Sequence, residues 1–187
     1  MRPILLKGHT RALTHVKYNQ DGDLLFTCSK DNRPTLWYSD NGERVGTYEG
    51  HNGTVWGCDV TFDSTLLLTA SADMSCKMWN VRTGEQLWSL DTPGPCRWVQ
   101  WSEGSGMFAV FVDPFKGAKA QIWIFKMPQS MDPSELGKQP FVVCQEQLEL
   151  NKERIIRGLW TPLNREILTG AEDGKLRLIN PLNGDLV

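Results

Sequence analysis

The sequence predicts an all-β propeller built from repeated four-stranded blades, of which about four are present. Residues recur at an offset of 42 positions without a gap, within the span of about 40–45 residues that one propeller blade needs. Short apolar runs alternate with turn-forming residues, which indicates strands joined by tight turns. No segment keeps a 3.6-residue period, so we expect almost no helix. The recurring pairs are Gly8-His9 with Gly50-His51, Leu24-Leu25 with Leu66-Leu67, Ser29 with Ser71, Asp31 with Asp73, Trp37 with Trp79 and Gly42 with Gly84.

Each of the first two repeats contains four predicted strands separated by polar turns. Asn41-Gly42 stands between two apolar runs, which is the strongest short signal for a hairpin, and Thr83-Gly84 occupies the same place in the second repeat. The predicted strands are Leu13–Tyr18, Leu24–Cys28, Thr35–Tyr38 and Arg44–Tyr48, followed by Val55–Thr61, Leu66–Ala70, Cys76–Asn80 and Gln86–Leu90.

Two further repeats are less regular. Asp113 and Trp123 are farther apart than their counterparts, so residues have been added within Pro114–Gln121. A longer insertion at 127–140 is mostly polar and rich in proline, which predicts an exposed loop between the last two strands of the third blade. In the fourth repeat, Ile179 stands where tryptophan stood before. The predicted blades span about 8–49, 50–92, 93–150 and 151–187, the last incomplete, and 3–6 is predicted to be the outer strand of the last blade of a ring.

A Gly-His pair, a hydroxyl residue, an Asp and a Trp at these spacings resemble the WD-repeat family. The resemblance implies that the Asp accepts a hydrogen bond from the His, while the other ring nitrogen meets a hydroxyl that also receives the indole N–H. Such a satisfied network rigidifies a blade. We assign His9, Ser29, Asp31 and Trp37 to the first blade and His51, Ser71, Asp73 and Trp79 to the second, with Thr27 and Thr69 as alternative hydroxyls. The third blade keeps Asp113 and Trp123, and the fourth keeps Asp173.

The tryptophans are numerous, and this residue is enriched in binding hot spots. We nevertheless expect core packing for each of them, because their positions follow the repeat. Register places Trp37, Trp79 and Trp123 in the core, Trp98, Trp101 and Trp160 on or near first strands, and Trp56 and Trp88 at rims or edges.

Composition and motifs exclude several classes of function. A net charge of −2 and a pI of about 5.9 do not favour direct, charge-driven binding of nucleic acid. No apolar stretch approaches the ~20 residues of a membrane helix. The cysteines lack CxxC spacing, which predicts reduced and mostly buried thiols in a soluble, cytoplasmic protein. Motifs of serine hydrolases, nucleotide-binding loops and zinc proteases are missing, so we expect no catalytic residue, no cofactor and no metal.

Several stretches also resemble the subunit i family of eukaryotic translation initiation factor 3. They are Pro3–His9, Asp23–Thr27, Lys30-Asp31, Trp37-Tyr38-Ser39, Asn41–Tyr48, Gly50-His51, Val55-Trp56, Ser71-Ala72-Asp73 and Ser75-Cys76. The resemblance is strong over about residues 1–90 and looser to the end. It implies a ring of about seven blades. Since about four blades do not close such a ring, we expect the chain to be the first half of a longer protein or a shortened form of it.

The resemblance implies a non-catalytic scaffold subunit that mediates protein–protein contacts during assembly of the 40S initiation complex. Its implied partners are subunits b and g, with indirect contact to the 40S ribosomal complex, no sequence-specific nucleic acid and no membrane. It assigns no partner-binding residue within this chain. The alternative is an adaptor in receptor or kinase signalling, or in ubiquitin ligation, because such adaptors are built from the same repeat as the scaffold subunit.

Overall fold

Fifteen strands form four antiparallel sheets in the part of the chain that the computed structural model describes, which is residues 3–130, 132–133, 141–144 and 153–187. The strands are β1 (Leu13–Tyr18), β2 (Leu24–Ser29), β3 (Thr35–Tyr38), β4 (Arg44–Thr47), β5 (Val55–Val60), β6 (Leu66–Ser71), β7 (Ser75–Asn80), β8 (Gln86–Asp91), β9 (Cys96–Trp101), β10 (Met107–Val112), β11 (Gln121–Lys126), β12 (Phe141–Cys144), β13 (Ile155–Trp160), β14 (Ile167–Ala171) and β15 (Leu176–Ile179).

Strands that are consecutive in the chain pair with one another in every sheet. Blade 1 contains β1–β4, blade 2 β5–β8, blade 3 β9–β12 and blade 4 β13–β15. The two short 3-10 turns, Glu103–Ser105 and Pro162–Asn164, follow the first strands of blades 3 and 4. The predicted all-β propeller arc is therefore confirmed, and the predicted strands of the first two blades agree with the observed ones to within about one residue.

The first strand of each blade lies at the inner edge of the arc, where β1 packs beside β5, β5 beside β9 and β9 beside β13. Apolar side chains fill the spaces between neighbouring blades. Phe26 and Tyr48 of blade 1, for example, pack with Leu67 and Trp79 of blade 2. Full burial of one large apolar side chain contributes about 1.5–3 kcal/mol. Packing against its neighbour therefore contributes substantially to the stability of each blade.

Blade 3 accommodates its added residues in loops. Phe115 and Ala118 exchange backbone hydrogen bonds of 3.1 and 2.9 Å, which closes the longer loop between β10 and β11. The predicted insertion at 127–140 falls between β11 and β12 in the chain, and its exposure stays a prediction. Residues 131 and 134–140 of that insertion lie outside the described residues, as do 145–152. No helix of the described residues is long and apolar enough to cross a membrane.

The first residues of the chain lie across blade 1. Pro3–Leu6 contributes to none of the described strands, and the prediction that it completes another blade stays a prediction. Its Ile4 and Leu6 side chains pack on the turn at Gly42, where a Cβ would come within 2.5 and 2.7 Å of them. At the other end of the arc, Leu186 forms a bridge with Ile179 beside β15.

Candidate functional site

Blade 2 contains a chain of hydrogen bonds that runs from its incoming loop to its third strand. His51 Nδ1 lies 2.8 Å from Oδ2 of Asp73, and its Nε2 lies 2.7 Å from the hydroxyl of Thr69 on β6. The Trp79 indole N–H donates to the same hydroxyl at 2.8 Å. We assign the imidazole proton to Nδ1, because the Thr69 hydroxyl can then donate to Nε2 while it accepts from Trp79. This tautomer gives both ring nitrogens of His51 and the Trp79 indole N–H a hydrogen-bond partner.

Blade 1 repeats this arrangement with the same distances. His9 Nδ1 lies 2.8 Å from Asp31, His9 Nε2 lies 2.7 Å from Thr27, and Trp37 donates to Thr27 at 2.8 Å. Gly8 lies against the Trp37 ring, where a Cβ would come within 2.7 Å of the indole. The two residues of the Gly-His pair therefore have separate roles. Gly8 lets the incoming loop pass close to the Trp37 indole, and His9 binds Asp31 in the turn after β2.

The first-choice hydroxyl is wrong in both blades, and the alternative hydroxyl takes its place. Thr27 and Thr69 join the histidine to the tryptophan, whereas Ser29 and Ser71 do not. The reason is the register between β2 and β3, which pairs Trp37 with Leu25. Two residues along a strand span about 6.6 Å, so Ser29 lies one step too far from the indole.

The two serines instead join the incoming loop to the aspartate turn. Ser29 Oγ donates to the carbonyl of Arg11 at 3.1 Å and accepts the N–H of Asp31 at 3.1 Å. Ser71 makes the equivalent bonds to Gly53 and Asp73, at 3.3 and 3.2 Å.

The aspartate of each complete network accepts several hydrogen bonds. In addition to His51, Asp73 accepts the Asn52 N–H at 2.8 Å, the Ser75 N–H at 3.0 Å and the Ser75 hydroxyl at 2.6 Å. Burial alone would raise the pKa of Asp73, but the hydrogen bonds from His51 and Ser75 hold it well below its usual value. Burial would also raise the pKa of Asp31, but hydrogen bonds from the Thr10 N–H and His9 outweigh it and lower this pKa below its usual value. Both carboxylates are therefore ionised acceptors with their oxygens in use.

Blade 3 does not bring its two predicted residues together. Asp113 is buried and accepts hydrogen bonds from Arg97, at 3.0 Å from Nε and 2.6 Å from Nη2. Val112 stands where the complete blades have threonine, so Trp123 finds no hydroxyl there. Its indole N–H donates to Gln121 at 2.7 Å, and the ring is half-buried rather than in the core as predicted.

Blade 4 also replaces histidine with arginine as the partner of its aspartate. Arg177 donates to Asp173 at 3.2 Å through Nη1. This contact lowers the pKa of Asp173 to about 2. Thr169 donates to the Arg177 carbonyl at 3.4 Å, while Ile179 is buried in the place of tryptophan. Only blades 1 and 2 thus form the His–Thr–Trp chain.

The inner strands bring together four residues that the repeat pattern does not single out. His15, Gly57, Trp98 and Arg157 are the third residues of β1, β5, β9 and β13. They occupy equivalent positions, because they pair with Cys28, Ala70, Phe111 and Gly170 of the adjoining second strands. We call these four residues the inner layer.

Trp98 is the centre of the inner layer. The His15 ring meets it edge-on with 4.6 Å between centroids, and the Arg157 guanidinium lies 4.1 Å from its centroid. The indole N–H donates to the carbonyl of Gly158 at 3.0 Å. Gly57 makes room for the ring, because a Cβ there would lie 2.4 Å from Trp98 Cε3. One side chain thus contacts the inner strands of the other three blades.

The inner layer contains two groups whose pKa is shifted. Burial, with the charges of Arg157 and Lys17, lowers the pKa of His15 to about 4. Burial and the neighbouring Arg97 lower the pKa of Arg157. Two cations therefore face a histidine that the fold keeps neutral. The 42-residue offset between His15 and Gly57 was the one available sequence signal, since a glycine inside a strand often marks the close approach of another group.

A cavity of about 510 Å³ opens at the other end of the inner strands, and an ion pair lines it. Lys17 Nζ of blade 1 lies 2.9 Å from Oδ1 of Asp59 in blade 2. The other oxygen, Oδ2, accepts the backbone N–H of Trp101 in blade 3 at 2.8 Å. Burial raises the pKa of Asp59, although Lys17 opposes this. Both oxygens have partners, and the contacts join three blades.

Six groups that could be reactive elsewhere are hydrogen-bonded or buried in this structure. Both ring nitrogens of His9 and His51 contact other side chains. Cys28, Cys58, Cys76 and Cys96 are free and buried. Burial raises the pKa of the Cys96 thiol to about 12, and that of Cys28 and Cys76 also lies above its usual value. Among the described residues, no group of three His, Cys, Asp or Glu side chains could hold a metal ion.

Comparison with known proteins identifies the repeats. The family model described as "WD domain, G-beta repeat" matches residues 3–37 and 42–80. The WD40 model thus matches these two segments, which include every residue of the His–Thr–Trp chains in blades 1 and 2.

Similarity to individual proteins extends farther than the repeat model. The chain is 36% identical over 187 residues to eukaryotic translation initiation factor 3 subunit I of Schizosaccharomyces pombe, and 36% identical over 187 residues to that of Drosophila melanogaster. It is 38% identical over 188 residues to that of Xenopus tropicalis. Each comparison covers 100% of this chain and 56% of the relative. The chain thus spans little more than half the length of these relatives.

Proposed function

We propose that the chain is part of a non-catalytic scaffold subunit of translation initiation factor 3, which mediates protein–protein contacts during assembly of the 40S initiation complex in the cytoplasm. The observation that carries this proposal is the similarity to subunit I over all 187 residues. That similarity includes blades 3 and 4, where the set of generic repeat residues is incomplete. It is therefore more specific than the shared repeat.

The use of the polar side chains supports a scaffold role. The histidines, aspartates and buried thiols with catalytic potential are bonded within blades or enclosed between them. Contacts such as Lys17–Asp59 and Trp98–Gly158 join one blade to the next. An arc whose blades are joined in this way suits the binding of protein partners. We propose subunits b and g of the same factor as these partners.

Affinity purification of the tagged chain from eukaryotic cells, followed by mass spectrometry, tests the proposal. We expect recovery of initiation factor 3 subunits, b and g among them, together with 40S ribosomal proteins. Recovery of a kinase or a cullin without these subunits would contradict the proposal and favour a signalling or ubiquitin-ligase adaptor.

Two glycine variants control for folding in this experiment. A Cβ at Gly158 would lie 2.1 Å from Phe111 Cζ, whereas a Cβ at Gly106 would meet nothing within 4 Å. Gly158→Ala should therefore lose the initiation factor subunits together with the packing of blade 4 on blade 3, and Gly106→Ala should retain them. Equal recovery with both variants would mean that capture does not depend on the folded arc, and the proposal would fail.

A further inference from the structure

Three arginines follow the inner edge of blades 3 and 4 from the rim inward. Arg154 immediately precedes β13, Arg97 is the second residue of β9, and Arg157 is the third residue of β13. Arg97 and Arg154 both approach Oδ2 of Asp113, with nitrogen–oxygen distances of 2.6 and 3.8 Å. Arg157 lies close enough to Arg97 for the charge of Arg97 to lower its pKa. We call these three residues the arginine ladder.

Two guanidinium groups of the arginine ladder lie over tryptophan rings. Arg97 Cζ is 4.4 Å from the ring centroid of Trp56, and Arg157 Cζ is 4.1 Å from that of Trp98. A guanidinium stacked on a ring is oriented before a ligand arrives, and its N–H groups remain able to bind a carboxylate through two parallel hydrogen bonds. The two tryptophans therefore prepare the ladder for a planar anionic group.

Within the described residues, neighbouring carboxylates balance the positive charge of the ladder only in part. Asp113 is buried and forms ion pairs with both Arg97 and Arg154. The partly exposed Glu172 lies 3.9 Å from Arg154. Arg157 is exposed, and within the described parts of the chain its guanidinium contacts no carboxylate. It donates a hydrogen bond of 3.0 Å to the carbonyl of Ile156. A cation fixed in a concave inner edge attracts an anionic partner.

We propose that the arginine ladder binds an acidic peptide segment of a partner protein, with one carboxylate on Arg157 at the inner edge and another on Arg154 at the rim. A peptide with separate carboxylates is favoured over a polyphosphate backbone, because Asp113 and Glu172 beside the guanidinium groups reduce the positive charge that a polyanion needs. The net charge of −2 also provides no extended basic surface for nucleic acid. This inference goes beyond the scaffold role. The ladder could fail to bind acidic peptides while the scaffold function stands, and the reverse also holds.

Fluorescence anisotropy with a labelled oligoglutamate peptide tests the proposal, with an oligolysine peptide and a single-stranded RNA of equal length as comparators. We expect salt-sensitive binding of oligoglutamate. Arg157→Gln should weaken this binding roughly tenfold, because one charge-assisted contact is lost. The matched control is Arg165→Gln, an exposed arginine at the opposite end of the same blade, which should bind like the unmodified chain. Circular dichroism melts verify that each variant is folded.

Three outcomes would overturn the proposal. They are the absence of salt-sensitive oligoglutamate binding, equal binding by folded Arg157→Gln and Arg165→Gln, and tighter binding of RNA than of oligoglutamate. If Arg157→Gln does not fold, Arg154→Gln decides, because the Arg154 side chain is half exposed and precedes the strand. Arg154→Gln should weaken binding severalfold, and unchanged binding would contradict the proposal.

Discussion

At the scale of single residues, one threonine hydroxyl joins the histidine of the incoming loop to the third-strand tryptophan in each of blades 1 and 2. Thr69 contacts both His51 and Trp79, and both side chains are buried around it. In blade 3, Val112 occupies that position, and Trp123 is half-buried with its N–H directed to Gln121. The tryptophan is buried in blade 2, which has the threonine hydroxyl, and half-buried in blade 3, which lacks it.

Substitution of Thr69 by valine should destabilise the protein. Thr69→Val preserves the shape of the side chain but leaves His51 Nε2 and Trp79 Nε1 without their partner, at a cost of about 1–3 kcal/mol in the free energy of unfolding. Urea denaturation followed by tryptophan fluorescence measures the change. Thr69→Ser is the matched control, because it keeps the hydroxyl and should retain most of the stability. Equal midpoints for the two variants would show that the hydroxyl contributes nothing.

The sequence identified most of this network but not its hydroxyl. His51, Asp73 and Trp79 each stand in register with a counterpart in blade 1, and repeat spacing was sufficient to select them. Thr69 and Ser71 lie two residues apart on the same face of a strand, so alternation could not distinguish them. The choice depends on the pairing of β6 with β7, which places Trp79 opposite Leu67.

At the scale of strands and turns, local sequence signals were strong where the repeat is regular. Turns at Gly42 and Gly84 adopt a positive φ, of 74° and 73°, which the Asn-Gly and Thr-Gly pairs predict. The inner layer was not predicted, because its members contact one another across blades and share no residue type. Trp98 packs against residues of β1, β5 and β13, and only the fold brings these strands together.

A methyl group at Gly57 should disturb the inner strands more than one on an outer strand. The Cβ of Gly57→Ala would lie 2.4 Å from Trp98 Cε3, so the indole or β5 must move. Overpacking of this kind costs about 1–3 kcal/mol. Gly46→Ala on β4 is the matched control, since a Cβ there meets nothing within 4 Å. Thermal melts compare them, and a melting temperature of Gly57→Ala at or above that of Gly46→Ala would contradict the packing.

At the scale of the whole molecule, the blades are held together at the inner edge by contacts that the repeat does not encode. Lys17, Asp59 and the Trp101 backbone form a hydrogen-bonded connection through blades 1 to 3. Trp98 contacts His15 in blade 1 and Gly158 in blade 4. Because these contacts join all four blades, a change in the charge of one inner residue should affect the stability of the whole arc.

Protonation of His15 should therefore destabilise the protein at mildly acidic pH. The fold lowers the pKa of His15 from 6.5 to about 4, because the ring is buried and faces Arg157 and Lys17. The folded state thus prefers the neutral imidazole. The stability that results is fully present above the unfolded pKa of 6.5, and it decreases as the pH falls from there toward 4. The expected observation is a fall in melting temperature across this window.

A variant that has no titratable side chain at position 15 separates the contribution of His15 to the pH dependence from that of all other groups. His15→Phe keeps an aromatic ring against Trp98 and cannot be protonated, while every other titratable side chain remains in both proteins. Its melting temperature should therefore decrease less than that of the unmodified chain between pH 6.5 and 4. Asp31 and Asp73 act in a different window, because their lowered pKa values make their contribution decline only below about pH 4. Parallel pH profiles for the two proteins would mean that His15 is protonated as easily in the folded arc as in the unfolded chain, and the inner layer would then place no constraint on its charge.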